Sequence, residues 1–340
     1  LDSFYQEVAL NFYPEMAEFT SKRQVGEEFV NNLSTSYPLL ARRSLGDSIG
    51  AMLRPTSLDN TSPGVWFSIT PEDTKLSKDQ ESSRWLDWAT GVMRRAMYDY
   101  KSGFVRACKQ GDHQFVTFGQ CPLSLDVTAE RDRLVYQCWH LRDVVWCEDM
   151  YGNIDTVHRK WEASASQVAA RFGDKTSPKV LEKLTKDPYG LVKCRHIVMA
   201  TENYEQRDPT GGKYRQPWVS IWIDVDNDHV IQESGSDSRL YIIPRWITVP
   251  GSQYASSPAV TAALPDARLI QAMTLTLLEA SEKFADPPMI ATQEAIRSDV
   301  ALFPGGLTWA DAEYDERLGD VLRPVYQPAQ GQSLAAGVQF

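Results

Sequence analysis

The hydrophobic pattern of this chain changes period near Cys121, and that change limits the fold more than any other feature. Before it, apolar residues recur at three- and four-residue steps; after it, they alternate with polar residues as on strands. At 36–54 the run SYPLLARRSLGDSIGAMLR places Leu40, Ile49, Met52 and Leu53 near one face and stops at Pro55. Gly46 and Gly50 leave a notch in it where another helix can approach closely. The stretch VWFSITPED (65–73) has the aromatic and β-branched content of a short strand. Over 79–100, Trp85, Trp88, Val92, Ala96 and Tyr100 form a stripe that predicts a long amphipathic helix with its tryptophans in the core. A further helix is expected from Ser102, as N-cap, towards Gly119.

From Cys121 to about residue 250 the runs LSLDV, RLVYQCWHL, DVVWCED, IDTVHRKWEA, LVKCRHIVMA, QPWVSIWIDV, HVIQES and RLYIIPRWITV read as strands. The turn MYGNI joins two of them, and short helices interrupt at SASQVAARFG and SPKVLEKLTK. The segment PDARLIQAMTLTLLEASEKFA (265–285) is the clearest helix, about 30 Å long. Pro265 suits its first turn, Leu269, Met273, Leu277 and Phe284 mark its apolar stripe, and Asp286-Pro287-Pro288 ends it. Beyond it, short apolar pieces alternate with acidic loops, as in a small separate module. The fold class is α+β.

With 340 residues the chain has room for two or so domains, and its apolar share of 42% excludes wholesale disorder. Thirty-five basic against 45 acidic residues give a net charge of −10, which excludes a basic coat that grips phosphates. No apolar run of membrane-spanning length and no basic-then-apolar leader is present in this sequence. Cys108, Cys121, Cys138, Cys147 and Cys194 never fall into CxxC spacing and read as buried thiols. The start at Leu1 and the end at GQSLAAGVQF suggest that both ends are cut from a longer product.

Motifs for chemistry fail on their own spacing. Asp224, Asp226 and Asp228 open like a calcium loop, but His229 and Gly235 occupy the positions that need Gly and Glu. Gly211-Gly212-Lys213 lacks the remainder of a phosphate loop and reads as a β-turn. His113, His140, His158, His196 and His229 are scattered and read as satisfied strand or surface histidines. No GxSxG elbow or GxGxxG turn follows a strand. Trp85, Trp88, Trp218 and Trp222 read as core. No catalytic, metal-binding or cofactor-binding residue is assigned, and no cofactor is expected.

Several stretches, in order, resemble the head-to-tail connector (portal) family of short-tailed bacteriophages. These are Ser102-Gly103-Phe104 through Asp112 to Phe118-Gly119, then Glu148-Asp149 with GNIDTVHRKW, Ser164, Gln167 and Phe172-Gly173. Pro244-Arg245-Trp246, Tyr254-Ala255-Ser256-Ser257-Pro258, Ala263-Leu264-Pro265-Asp266 and Pro287-Pro288 follow. The resemblance spans roughly 35 to 290, with Ala255 where the family often has Gly.

The resemblance implies a ring of about a dozen identical subunits at one capsid vertex, through which double-stranded DNA passes non-specifically during packaging and ejection. It implies a wing at 1–250 (helical to 120, mainly β from 121), a loop and first stem helix at 251–285, a small α/β clip at 286–327 and the start of a return segment at 328–340. On the same resemblance, the second stem helix and crown are expected to lie outside this sequence. The implied partners are the terminase large subunit, which hydrolyses ATP, tail adaptor proteins, and the major capsid and scaffold proteins, with no membrane. The implied place is the virion head–tail junction, after assembly in the host cytoplasm.

From Gly251 to Phe340 there are 11 acidic and 5 basic residues, an excess that suits a weak, reversible hold on sliding DNA and suits a solvated face as well. Small residues on the long helix (Ala267, Ala272, Thr274, Thr276, Ala280 and Ser281) suit close packing between ring neighbours. Arg268, Gln271, Glu279, Glu282 and Lys283 form its polar face and are the candidates for lining the channel or meeting the adjacent stem. Trp309, Asp311, Glu313, Asp315, Glu316 and Arg317 are the candidates for clip contact with terminase or adaptor; Trp309 fits the clip's own small core equally well. Two other readings stand beside this one: a carboxylate-based hydrolase built on the β-rich middle, and a tail adaptor or other structural virion protein.

Overall fold

Four helices precede Cys121 in the computed structural model, which describes residues 1–23, 26–27, 33–55, 66–72, 79–128, 130–204, 216–287, 289–292, 303, 306–310 and 322–324. They are α1 (Asp2–Phe12), α2 (Tyr37–Leu53), α3 (Gln80–Met97) and α4 (Phe104–Phe118). The chain divides into two units, one of residues 1–29 and 38–264 and one of 30–37 and 265–340.

In the first unit α4 is central. Its Phe104, Ala107, Val116 and Phe118 are buried, and Phe118 meets Tyr5 of α1 edge-on with ring centroids 5.7 Å apart. Beside it lies a three-stranded antiparallel sheet of order β2-β1-β8, built from β1 (Leu123–Val127), β2 (Leu134–Cys138) and β8 (Tyr241–Ile242). The larger sheet is an antiparallel meander of β3 (Val144–Glu148), β4 (Ile154–Ser164), β5 (Leu191–Ala200), β6 (Trp218–Asp224) and β7 (His229–Ser236). Within the β4–β5 connection, α5 (Ala165–Phe172) and α6 (Pro178–Lys186) close a core of Ala163, Val168, Phe172, Val180, Val192, Trp222 and Ile231. Ser164 starts α5 through a reciprocal capping box with Gln167.

Beneath this sheet a polar cluster is buried but paired. His196 stacks on Trp222, with ring centroids 3.8 Å apart. Its Nδ1 is 2.6 Å from the Tyr241 hydroxyl and its Nε2 is 2.9 Å from Ser220 Oγ. Burial pushes the His196 imidazole well below its ordinary pKa, with Arg159 and Arg171 adding to the shift, so the ring is neutral in the fold.

Several expectations are corrected. Residues 66–72 form no strand; Ile69 N–H donates instead to Thr90 Oγ1, and Trp66 stacks on Phe104. Val65 and Asp73 lie outside the described residues. The N-cap of α4 is Gly103, at φ +71°, because Ser102 closes the preceding 3-10 turn and donates its hydroxyl to Met97 and Asp99 carbonyls. Pro244 splits RLYIIPRWITV into β8 and a separate β9 (Ile247–Thr248).

The notch in α2 is real, and α4 fills it: a methyl at Gly46 would collide with the His113 ring, and one at Gly50 would lie 2.7 Å from Asp112 Oδ2. The buried side of α2 is marked by Pro38, Arg42 and Gly46, while Leu40, Met52 and Leu53 are exposed. His113 is thus a buried helical residue whose Nδ1 has no hydrogen-bond partner, not a satisfied strand or surface one. The stripe on α3 also faces outward: Trp85 and Trp88 are each 61% exposed. Cys147 is exposed rather than buried.

In the second unit, α7 (Leu264–Ala285) leads to β11 (Met289–Thr292), β12 (Leu307–Ala310) and β13 (Leu322–Pro324). These strands form a mixed sheet of order β12-β11-β13, parallel on one side of β11 and antiparallel on the other.

Candidate functional site

The segment that leads into the long helix is held by a knot of buried hydrogen bonds drawn from sequence-distant parts of the first unit. Gly119 ends α4 at φ +80°, and a side chain there would sit 2.7 Å from the Ser256 backbone, so both conformation and space require glycine. Ser257 Oγ donates to the Thr117 carbonyl (2.7 Å). Gln120 accepts from Ala255 N–H at 2.9 Å and donates to the Tyr5 hydroxyl at 2.8 Å. Trp246 N–H donates to the Gly119 carbonyl, and the Trp246 ring packs on Phe115 at 5.1 Å. Arg245 pairs with Glu148 and donates to the Gly152 carbonyl at 3.0 Å. Trp146 packs on Tyr254 at 4.8 Å. Ala255 lies in the short strand β10 (Ala255–Ser256), and its φ is not positive, so its methyl is accommodated without strain.

From this knot the backbone passes through a π-helical turn at Ala259–Ala263 directly into α7. The helical path therefore starts earlier than Pro265 suggests. Pro265 has no N–H for the carbonyl one α-turn back and its ring crowds that carbonyl; a wider π turn relieves both.

On α7, Arg268, Gln271, Glu279, Glu282 and Lys283 fall within an arc of about 120° at 100° per residue. Arg268, Glu279 and Glu282 are exposed, and Gln271 and Lys283 are half-buried. Gln271 has an internal task that its sequence position does not reveal. Its carboxamide accepts from Ser34 and Thr35 N–H (2.7 and 3.1 Å) and donates to the Thr35 carbonyl (3.2 Å), clamping that segment within the second unit. Trp309 lies on β12, in register with Ala291 of the neighbouring strand. Asp311, Glu313, Asp315, Glu316 and Arg317 lie outside the described residues, as does the Gly211-Gly212-Lys213 turn.

Enzyme-like features are weak on the geometry. A groove of about 560 Å³ on the first unit contains Asp2, Glu18, Asp143 and Glu162, and the last three are ion-paired. Lys22 holds Glu162 at 2.8 Å, and Arg142 holds Glu18 at 3.0 Å and Asp143 at 3.3 Å. The hydrogen bond from Lys22 lowers the Glu162 pKa, the wrong direction for a proton donor at neutral pH. Burial raises the Cys138 and Cys194 thiols to about 12, leaving them protonated. Asp224, Asp226 and Asp228 occupy the β6–β7 turn, where Asp224 accepts from Asn227 and Asp226 from Lys193 N–H. Among the described residues no group of three or more His, Cys, Asp or Glu is placed to hold a metal, and no helix is long and apolar enough to cross a membrane.

Gly119, Glu148, Arg245, Trp246, Tyr254, Ser256 and Ser257, spread over the β-rich sequence, thus meet at the root of one helix. The comparison that decides what this arrangement belongs to covers nearly all of the chain: residues 2–338 match the family described as "Bacteriophage head to tail connecting protein". The chain belongs to that family. This connector chain is 27% identical over 316 residues to the "Probable portal protein" of Bordetella phage BPP-1, covering 91% of the chain and 55% of that protein. It is 23% identical over 273 residues to the "Portal protein" of Salmonella phage epsilon15, covering 78% of the chain and 47% of that protein. The connector chain therefore spans about half the length of the curated relatives it matches.

The sequence reading missed Gln120 and Ser257 as the residues that bind α4 to the root of α7. No local signal marks Gln120, because its partners lie 115 and 135 residues away.

Proposed function

We propose that this connector chain is a portal subunit, one of about a dozen that close into a ring at a capsid vertex. The ring forms the channel for packaging and ejecting the genome. The observation that supports the reading is the knot at Gly119, Gln120 and Ser257, which ties down by buried hydrogen bonds the segment that runs on into a 22-residue helix. A long helix that continues from a well-packed segment suits a channel wall. On this reading 1–250 is the wing, 251–285 the loop and first stem helix, 286–327 the clip, and 328–340 the start of the return segment.

The arc of exposed Arg268, Glu279 and Glu282 with half-buried Lys283 carries both signs of charge, so it holds sliding DNA only weakly and without reading sequence. Gln271 at its edge stiffens the helix through its clamp on Ser34 and Thr35. The clip, with Trp309, Asp311, Glu313, Asp315, Glu316 and Arg317, docks the terminase during packaging and a tail adaptor afterwards. The wing faces the capsid and scaffold proteins. The subunit is structural, and ATP hydrolysis resides in the terminase. Its place is the virion head–tail junction, reached by assembly in the host cytoplasm.

Native mass spectrometry of the purified protein, with negative-stain microscopy of the same sample, tests this directly. A closed ring of about a dozen subunits with a central hole is expected. A monodisperse monomer or dimer at micromolar concentration would contradict it.

A further inference from the structure

Helix α3 is amphipathic, but its apolar ridge is turned away from its own subunit. Trp85, Trp88, Val92 and Ala96 fall within an arc of about 80°, and Trp85 and Trp88 are the most exposed tryptophans described. Met93 beside them is also exposed, and Thr90 is the one buried residue of the helix. Two indoles at that exposure, adjacent on one helix, are far from the single scattered apolar residues of an ordinary surface.

A second exposed apolar face lies in the same unit. On the C-terminal half of α2, Leu45, Ile49, Met52 and Leu53 span an arc of about 100°, and Leu45, Met52 and Leu53 are exposed. The flank of α2 next to this face is closed by α4 at Gly46 and Gly50. With tryptophan side chains of about 250 Å², the α3 ridge offers roughly 400 Å², half of the ~800 Å² per partner in an interface of standard size. The α2 face offers roughly 300 Å² on the same basis. A ring that closes head-to-tail needs two different, complementary faces on every copy.

We propose that the Trp85–Trp88 ridge of α3 is a subunit contact that seats on the Leu45, Met52 and Leu53 face of α2 in a second copy of this chain. The inference rests on the ring reading and names where its subunits meet. Tryptophan is the side chain most enriched among residues that dominate interface energetics, and the α2 face gives it a flexible methionine against which to pack. A lipid surface fits less well, because Glu81 and Asp87 stand among Arg84 and Arg95 on the exposed sides of α3.

The test uses the full chain as wild type, W85A/W88A and M52E/L53E, each checked for folding by circular dichroism and then weighed by native mass spectrometry. Both double variants are expected to stay folded and to lose at least tenfold in ring population. In a Cys147→Ser background, chains carrying W88C mixed with chains carrying M52C should form a disulfide-linked dimer, and neither should do so alone. Rings from W85A/W88A at wild-type yield, or Trp85-dependent binding to anionic phospholipid vesicles, would overturn the contact while leaving the ring reading intact. A wild-type protein that forms no ring would overturn the ring reading and this contact with it.

Discussion

Helices α3 and α4 are of similar length, 18 and 15 residues, and both are strongly amphipathic, yet they do opposite things with their apolar faces. α4 turns Phe104, Ala107, Val116 and Phe118 into the core, where α1 and the small sheet cover them. α3 buries Thr90 and leaves its tryptophans outside. Periodicity reports that a helix has an apolar face; it does not report what covers that face. The cover for α4 is encoded in its own subunit, where Tyr5 and Phe19 pack on Phe118. On the present account the cover for α3 is another subunit.

The strongest way to break the comparison is to remove α4's core. Phe118→Ala deletes a fully buried ring and should cost about 3–5 kcal/mol, read as a loss of urea midpoint or of folded protein altogether. A cost under about 1 kcal/mol would mean that α4 is not the centre of the unit. Next in size, Gly119→Ala combines a positive φ with a close approach to the Ser256 backbone and should destabilise by about 1–3 kcal/mol. Its thermal transition should fall accordingly, and an unchanged transition would remove the knot from the account.

Acid should act on the buried side of the molecule. Burial holds His113 on α4, as well as His140 and His196, below the ordinary histidine pKa. The unfolded chain therefore binds protons first, and stability is intact above pH ~6.5 and falls as pH drops below it, by up to about 1.4 kcal/mol per unit for each such group. Urea titrations at three pH values between 7.5 and 5.5 should show this decline. A midpoint that rises on acidification would reverse the assigned direction. α3 carries no histidine. The smallest effect on subunit stability is expected for Trp85→Ala, within about 0.5 kcal/mol when measured on the unassembled chain. A loss as large as that of Phe118→Ala would place Trp85 in a core.

Much of the fold was legible in the sequence. The strands of the large sheet follow from strict alternation, since a one-residue slip would turn Val192, Cys194 and Val198 out of the core. The short helix at SASQVAARFG was legible because its cap is local, with Ser164 and Gln167 only three residues apart. The notch at Gly46 and Gly50 was legible as a close approach, although not as a seat for His113. Long-range partnerships were hidden. Pairing Gln271 with Ser34 and Thr35, or Gln120 with Tyr5 and Ala255, requires contacts across more than 100 residues that local pattern does not encode. The polar face of α7 was readable from helical spacing, but the task of Gln271 within it was not. Local competition decided the remaining misses, as where Ser102 spent its hydroxyl on the preceding turn and left Gly103 to begin α4.

Amide hydrogen exchange, followed by mass spectrometry above and below the assembly concentration, probes the contrast between the two helices most directly. The account predicts that protection of residues 80–97 rises at least tenfold on assembly while that of 104–118 stays high and unchanged. Equal exchange of 80–97 in both states, in a sample shown to assemble, would contradict it.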